Sequence, residues 1–414
     1  MPKFKKTPIG EIPEDWNFIK LRDVAKIRGN KRVKEVTEVA VIPMELIPDS
    51  GIFADYRVVP IEQVKSSTYC EAGDILLAKI TPSLENGKQG IVPFDIPNGF
   101  ALATTEVFPI APEEDKIDRF FLFYLLKFNK FRQKIIASMT GTTGRQRASK
   151  KAVENLLIPL PPLPEQKKIA EILRTVDEAI EKTDLAIERT ERLKRGLMRE
   201  LLTKGIGHRE FKKTELGRIP KEWRVISIRQ AGKVITGKTP PTSESRYWNG
   251  DIPFITPADI GDNPYVNSTQ RFVSREGAEK VGKLLPKDTV LVVCIGSTIG
   301  KVALTARESV TNQQINAIIC NDTVNPQYHY YVLLFHSKRL KSWSGTAAVP
   351  IIKKSLFEKF KIPLPPLDEQ KKIAEILSTV DKKLELLRKR EEKLERVKRG
   401  LMKDLLTGRR RVKV

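Results

Sequence analysis

Three cysteines, Cys70, Cys294 and Cys320, lie scattered through 414 residues without a CxxC. An odd, unpaired set excludes a disulfide framework and fits a reduced, intracellular protein whose cysteines are small buried apolar residues. Histidine is equally scarce. His208, His329 and His336 are the only ones, and with no HExxH or Cys/His cluster the chain offers no zinc site, so no metal is expected. Long hydrophobic runs are missing too. The longest, residues 120–126 and 290–295, fall far short of a membrane span, and the opening MPKFKK runs into Pro8 with no secretory apolar region. The expected location is the cytoplasm, with no membrane partner.

Catalytic signatures are also wanting: there is no GxSxG, no PD…ExK in a plausible setting and no convincing pair of carboxylates. Two tempting motifs fail on physical grounds. Residues 232–239, GKVITGKT, fit the phosphate-loop pattern GxxxxGK[ST]. Such a loop must open a helix whose amides face the phosphates, whereas Pro240, Pro241 and a polar run follow here. Gly237, Lys238 and Thr239 read better as a basic turn facing a nucleic-acid backbone. Residues 262–265, DNPY, approach the [DN]PP[FY] signature of amino-methyltransferases but lack its second proline and a preceding glycine-rich cofactor loop. The chain is expected to have no catalytic residues.

Acidic residues are in deficit, 51 against 74 lysines and arginines, giving a net charge of +23. Most of the excess lies in the globular parts, and a polyanion is the first partner such a charge suggests. At this length several domains are expected. Self-similarity decides how many. IPLPPLPEQKKIAEILRTVD, residues 158–177, returns as IPLPPLDEQKKIAEILSTVD, residues 362–381. KTPIGEIPEDW, residues 6–16, returns as KTELGRIPKEW, residues 213–223. A module has been duplicated, each copy a variable body followed by a repeated tail. The expected division is a first body over residues 1–157, a strap and helix over 158–205, a second body over 206–361, and a second strap, helix and basic tail over 362–414.

The prolines of each tail dictate an extended strap, and a helix starts only after it. In the first helix Ile169, Leu173, Val176, Ile180, Thr183, Ile187, Thr190, Leu197 and Leu201 keep the 4-3-4-3 spacing of a coiled-coil seam. The second keeps it through Ile373, Leu377, Val380, Leu384, Leu387, Leu394, Leu401 and Leu405. About 39 residues make a helix roughly 60 Å long. One seam needs a partner of the same period, and the duplication supplies it. The expected fold is mixed α/β: two similar globular domains joined by two long antiparallel coiled-coil helices in a pseudo-two-fold repeat. In the bodies, residues 73–80 align with 287–294 as a turn followed by a buried strand, and residues 119–136 and 327–343 read as core helices. Residues 34–60 have no obvious counterpart in 242–272. One frame with different loops is what two modules reading two targets would show.

A pair of variable bodies, each closed by IPLPPLxEQKKIAEIL and a heptad helix, resembles the specificity subunit of type I restriction-modification enzymes. GTTGRQRASKKAVENL (141–156), ITGKTPP (235–241) and YWNGDIPFI (247–255) strengthen the likeness, which covers essentially the whole chain. The resemblance implies two target-recognition domains, each reading half of a split double-stranded DNA sequence, with methyltransferase subunits docked on the helices and restriction and translocase subunits completing the enzyme. S-adenosylmethionine, ATP and magnesium would then belong to those partners, not to this chain. The residue types suit the role, because Arg pairs with guanine edges, Gln with adenine, and Lys or Thr with phosphates. Candidate DNA contacts are Thr142, Thr143, Arg145, Gln146, Arg147 and Lys150 in one loop, Lys353 and Lys354 in its counterpart, and Gly237, Lys238 and Thr239. Lys31, Arg32, Lys79, Lys88, Thr104, Ser297, Asn312 and Gln313 are further candidates. At the offset of the repeat Arg145 and Arg147 become Val349 and Ile351, so the two loops cannot read bases alike. Two other readings stay open: the recognition subunit of a type II enzyme with a fused methyltransferase-nuclease, and a coiled-coil scaffold for protein partners only.

Overall fold

The computed structural model describes residues 3–31, 33, 36–142, 144–282, 284–345 and 349–413. The chain forms two compact units, Met1–Asp184 with Arg390–Val414, and Leu185–Lys389. Their boundary crosses the long helices, not the straps. Each unit is thus a globular head together with a segment of both helices, and both ends of the chain belong to the first unit.

The long helices are Leu163–Thr203, 41 residues, and Leu367–Leu405, 39 residues. Just beyond them stand Gly205 and Gly408, at φ +68° and +70°, the left-handed conformation that ends a helix and favours glycine. In the first unit Ile169, Ala170 and Leu173 share a core with Met402, Leu405 and Leu406. In the second, Met198, Leu201 and Leu202 share one with Ile373, Ala374 and Leu377. The start of one helix therefore meets the end of the other in each unit, and the segments run antiparallel. Of the seam positions, Ile169, Leu173, Ile180, Ile373, Leu377 and Leu384 are buried, while Val176, Ile187, Leu197, Val380, Leu387, Leu394 and Leu401 are half-buried. Thr183 and Thr190 occupy the seam because their hydroxyls donate to the Ala179 and Ala186 carbonyls one turn back, both at 2.7 Å, leaving no polar group unmet.

The repeated residues of each tail tie helix to head. Glu165 accepts from Trp16 Nε1 at 3.0 Å and from Arg411 at 2.7 and 2.8 Å. Glu369 accepts from Trp223 Nε1 at 3.0 Å and lies 2.9 Å from His208 Nε2. Gln166 donates to the Pro161 carbonyl and accepts from the amide of Asp118, the N-cap of the helix Arg119–Lys127. Gln370 does the same with Pro365 and Asn325. Deeper in, Asp177 takes the Tyr124 hydroxyl and the Lys398 ammonium, each at 2.6 Å. Asp381 takes Tyr331 at 2.7 Å and Lys194 at 2.5 Å. Each carboxylate is met by a head on one side and by the opposing helix on the other, which is the arrangement a buried charge requires.

The heads share one frame. The first carries a four-stranded antiparallel sheet in the order Ala25–Ile27, Val107–Pro112, Ile75–Ala78, Gln89–Ile91. The second carries Gly232–Thr236, Ile315–Cys320, Val290–Val293 and Val302–Thr305 in the same order, with Tyr265–Val266 added at the edge. Each head has a further sheet, Arg57–Pro60, Glu38–Ile42, Phe100–Ala103, Thr68–Glu71 in the first and Arg271–Val273, Trp248–Ile255, Val310–Thr311 in the second. The straps begin as strands: Leu157–Leu160 pairs with Asn17–Lys20, and Lys361–Leu364 with Arg224–Ser227. The prolines are tolerated there because each pair has only two strands.

Two expectations need correction. The expected alignment of residues 73–80 with 287–294 is one residue out of step. Ile75 pairs with Ile110 as Val290 pairs with Ile318, so Ile75 corresponds to Val290, and Gly73 to Asp288. Both turn residues have positive φ, +85° and +64°. Since a one-residue slip exchanges the faces of a strand, and these strands are buried on both faces, sequence pattern could not detect it. The expected helices 119–136 and 327–343 are each broken, at Phe128, which turns extended, and at His336.

Candidate nucleic-acid interface

In the first head the backbone brings three segments to one end of the sheet. Arg147 bridges to Ile80 and to Thr140, while the Ala148 amide donates to the Lys79 carbonyl at 2.7 Å and the Lys79 amide to the Glu106 carbonyl at 3.0 Å. Lys79, Glu106, Thr140 and Arg147 are thereby held side by side. Arg147 Nε and Nη2 donate to the two carboxylate oxygens of Glu106 at 2.9 and 2.7 Å, a bidentate pair that is half exposed on the arginine side. The Arg147 hydrogen bonds hold the Glu106 carboxyl below the ordinary carboxylate range. Arg145 and Gln146 beside it are exposed, as are Thr142 and Lys150. Lys79 extends over the Phe108 ring, 5.3 Å from its centroid, and Thr104 accepts from the Glu106 amide.

The second head repeats this net. Ile351 bridges to Ile295, the Ile352 amide donates to the Cys294 carbonyl at 2.8 Å, and the Cys294 amide donates to the Gln314 carbonyl at 2.8 Å. Arg147, Lys79 and Glu106 therefore correspond to Ile351, Cys294 and Gln314. Around them Gly237 and Lys238 donate to the Ile315 and Thr311 carbonyls, and Thr239 Oγ1 donates to Gln313 Oε1 at 2.7 Å. An added β-carbon on Gly237 would lie 2.2 Å from the Asn312 carbonyl oxygen, so this position needs glycine for close approach. No helix opens at Thr239, since residues 240–244 are irregular, and this removes the geometric basis of a phosphate loop.

The other candidates fall in three kinds of place. Lys238, Gln313, Ser297, Lys353 and Lys354 are exposed, Lys354 pairing with Glu358 at 3.7 Å. Lys31 is exposed and sits 5.1 Å from the Tyr69 ring. Two candidates are spent internally. Lys88 donates to the Met44 and Ile47 carbonyls at 3.1 and 2.8 Å, and Asn312 is buried with its amide on Gln314 Oε1. Arg32 and Thr143 lie outside the described residues. Glu106 and Gln314 are absent from the expected set because a carboxylate or an amide next to a strand end carries no sequence signal; only the tertiary ladder places them beside the segments that carry Arg147 and Ile351.

Among the described residues no group of three or more His, Cys, Asp and Glu could hold a metal, and no helix is long and apolar enough to cross a membrane. The family model described as type I restriction modification DNA specificity domain matches twice, at residues 13–189 and 220–396. The type I restriction enzyme MjaX specificity subunit of Methanocaldococcus jannaschii is 32% identical, across 99% of this chain and 97% of that protein. The MjaVIII specificity subunit of the same organism is 29% identical over 99% of this chain and 96% of its own. In fold, the type I S subunit from M. genitalium superposes with a TM-score of 0.62 at 16% identity, over 98% of each chain. With two matches that leave only short stretches uncovered, and a relative aligned nearly end to end, the chain belongs to the type I restriction modification DNA specificity family.

Proposed function

We propose that this chain is the DNA-reading specificity subunit of a type I restriction-modification complex, with each head reading one half of a split sequence. The carrying observation is the pair of heads: one backbone net, built twice, presents Lys79, Glu106 and Arg147 in the first and Cys294, Gln314 and Ile351 in the second. A protein binding the same group twice would repeat the side chains along with the frame. The net charge of +23 supplies the sequence-independent attraction to phosphates.

The chain is a non-catalytic subunit; methyltransferase and restriction subunits assemble with it. S-adenosylmethionine, ATP and magnesium are assigned to those subunits, and the complex to the cytoplasm. The type II reading is disfavoured, because the relatives that align end to end are type I specificity subunits. The test is to map methylated adenines in cells carrying the complex, before and after exchanging residues 1–157 for a related body. One half of the motif should change and the other persist; a change in both halves, or a continuous motif, refutes the reading.

A further inference from the structure

Resting on that reading, we propose that the two heads use one equivalent position to read chemically different base edges. In the first head Arg147, aimed by Glu106, takes a guanine; in the second Ile351, with Val349, takes a thymine methyl group.

The argument for the first head is the geometry of the guanidinium. Glu106 occupies the edge formed by Nε and Nη2, through bonds of 2.9 and 2.7 Å. What remains is the end formed by Nη1 and the second hydrogen of Nη2, a parallel donor pair matching O6 and N7 of guanine. The carboxylate also fixes the plane of the fork, so less side-chain freedom is lost on contact. Glu106 is thus a positioning residue, and Arg147 the reader.

In the second head all three charged groups change together. Arg147 gives way to Ile351, its partner Glu106 to neutral Gln314, and Lys79 to Cys294, which is buried. Loss of the cation alone would leave an uncompensated carboxylate, so the joint change marks the three as one device. The replacement is apolar and open: Val349 is 63% and Ile351 43% exposed. Ile351 stands where the first head places Arg147, Val349 occupies the sequence position of Arg145 at the offset of the repeat, and Gln313 is exposed next to Gln314. In the major groove the one apolar group a base presents is the thymine 5-methyl.

The test uses the assembled complex and synthetic duplexes carrying the mapped target, with half-sites assigned by the exchange of residues 1–157. Replacing guanines singly by 7-deazaguanine in the first head's half-site should expose one position where affinity falls about tenfold, the loss of one of two paired bonds. Replacing thymines by deoxyuridine in the second head's half-site should expose one where affinity falls roughly fourfold, one methyl group's burial. The guanine effect should vanish in Arg147→Ala and persist, weakened, in Glu106→Gln. The thymine effect should vanish in Ile351→Ala with Val349→Ala. Half-sites insensitive to both analogues, or effects that survive these substitutions, would overturn the assignment while leaving DNA reading intact. A complex that does not distinguish the unmodified target from unrelated DNA would overturn the functional reading, and this inference with it.

Discussion

Replacing Lys398 by methionine should destabilise the first unit by about 3 kcal/mol, because it strands a buried carboxylate. Asp177 is 8% exposed and has two partners in contact, the Tyr124 hydroxyl and the Lys398 ammonium, each at 2.6 Å. Burial and the Asp177 carboxylate both push the Tyr124 phenol up, so the tyrosine stays a neutral donor that cannot balance the charge. Methionine fills a similar volume, which isolates the electrostatic loss from a cavity. Asp177→Asn keeps an acceptor for Tyr124 but turns an amide toward a cation, and should cost about 2 kcal/mol. In the double variant neither charge is left, so its cost should be well below the sum, with a coupling of at least roughly 1 kcal/mol. Hydrogen exchange read peptide by peptide in the full chain measures each unit in the presence of the other. The matching trio in the second unit, Asp381, Tyr331 and Lys194, provides an independent repeat. Additive costs, or a loss under about 0.5 kcal/mol for Lys398→Met, would refute the claim that these bonds hold helix to head.

Acid should weaken the second unit through His329. Burial lowers this histidine to about 4, so the unfolded chain takes up the proton first, and stability present above about pH 6.5 drains as pH falls toward 4, by roughly 3 kcal/mol. His329→Gln should flatten that slope in urea titrations, and an unchanged slope would count against it. Arg411→Ala should unlatch the C-terminal tail from Glu165 and Asp15, costing the first unit about 1–3 kcal/mol and sparing the second, as differential exchange would show. Gly237→Ala should cost more than about 2 kcal/mol, since its β-carbon meets a backbone carbonyl that cannot move aside; a normal melting curve for this variant would remove the close-approach argument.

The duplication, the straps and the helices were legible in the chain because their physics is local. Pro159, Pro161 and Pro162 keep the strap extended and Pro164 is admitted only in the first helical turn, and a 4-3-4-3 run such as Ile169, Leu173, Val176, Ile180 keeps one face only as a helix. Glu165, Gln166 and Asp177 were visible as letters repeated at 369, 370 and 381 but not as hydrogen-bonded ties to Trp16, Asp118 and Tyr124, which lie 48 to 149 residues away along the chain. The candidate interface was legible only in part. Arg147 stood out by charge, whereas Glu106, Lys88 and Asn312 took their roles from the ladder: the first was placed under a guanidinium, the others turned inward onto protein acceptors. Strand register depends on pairing across the sheet, which is why Gly73 and Asp288 match in space while a count along the chain sets them one residue apart.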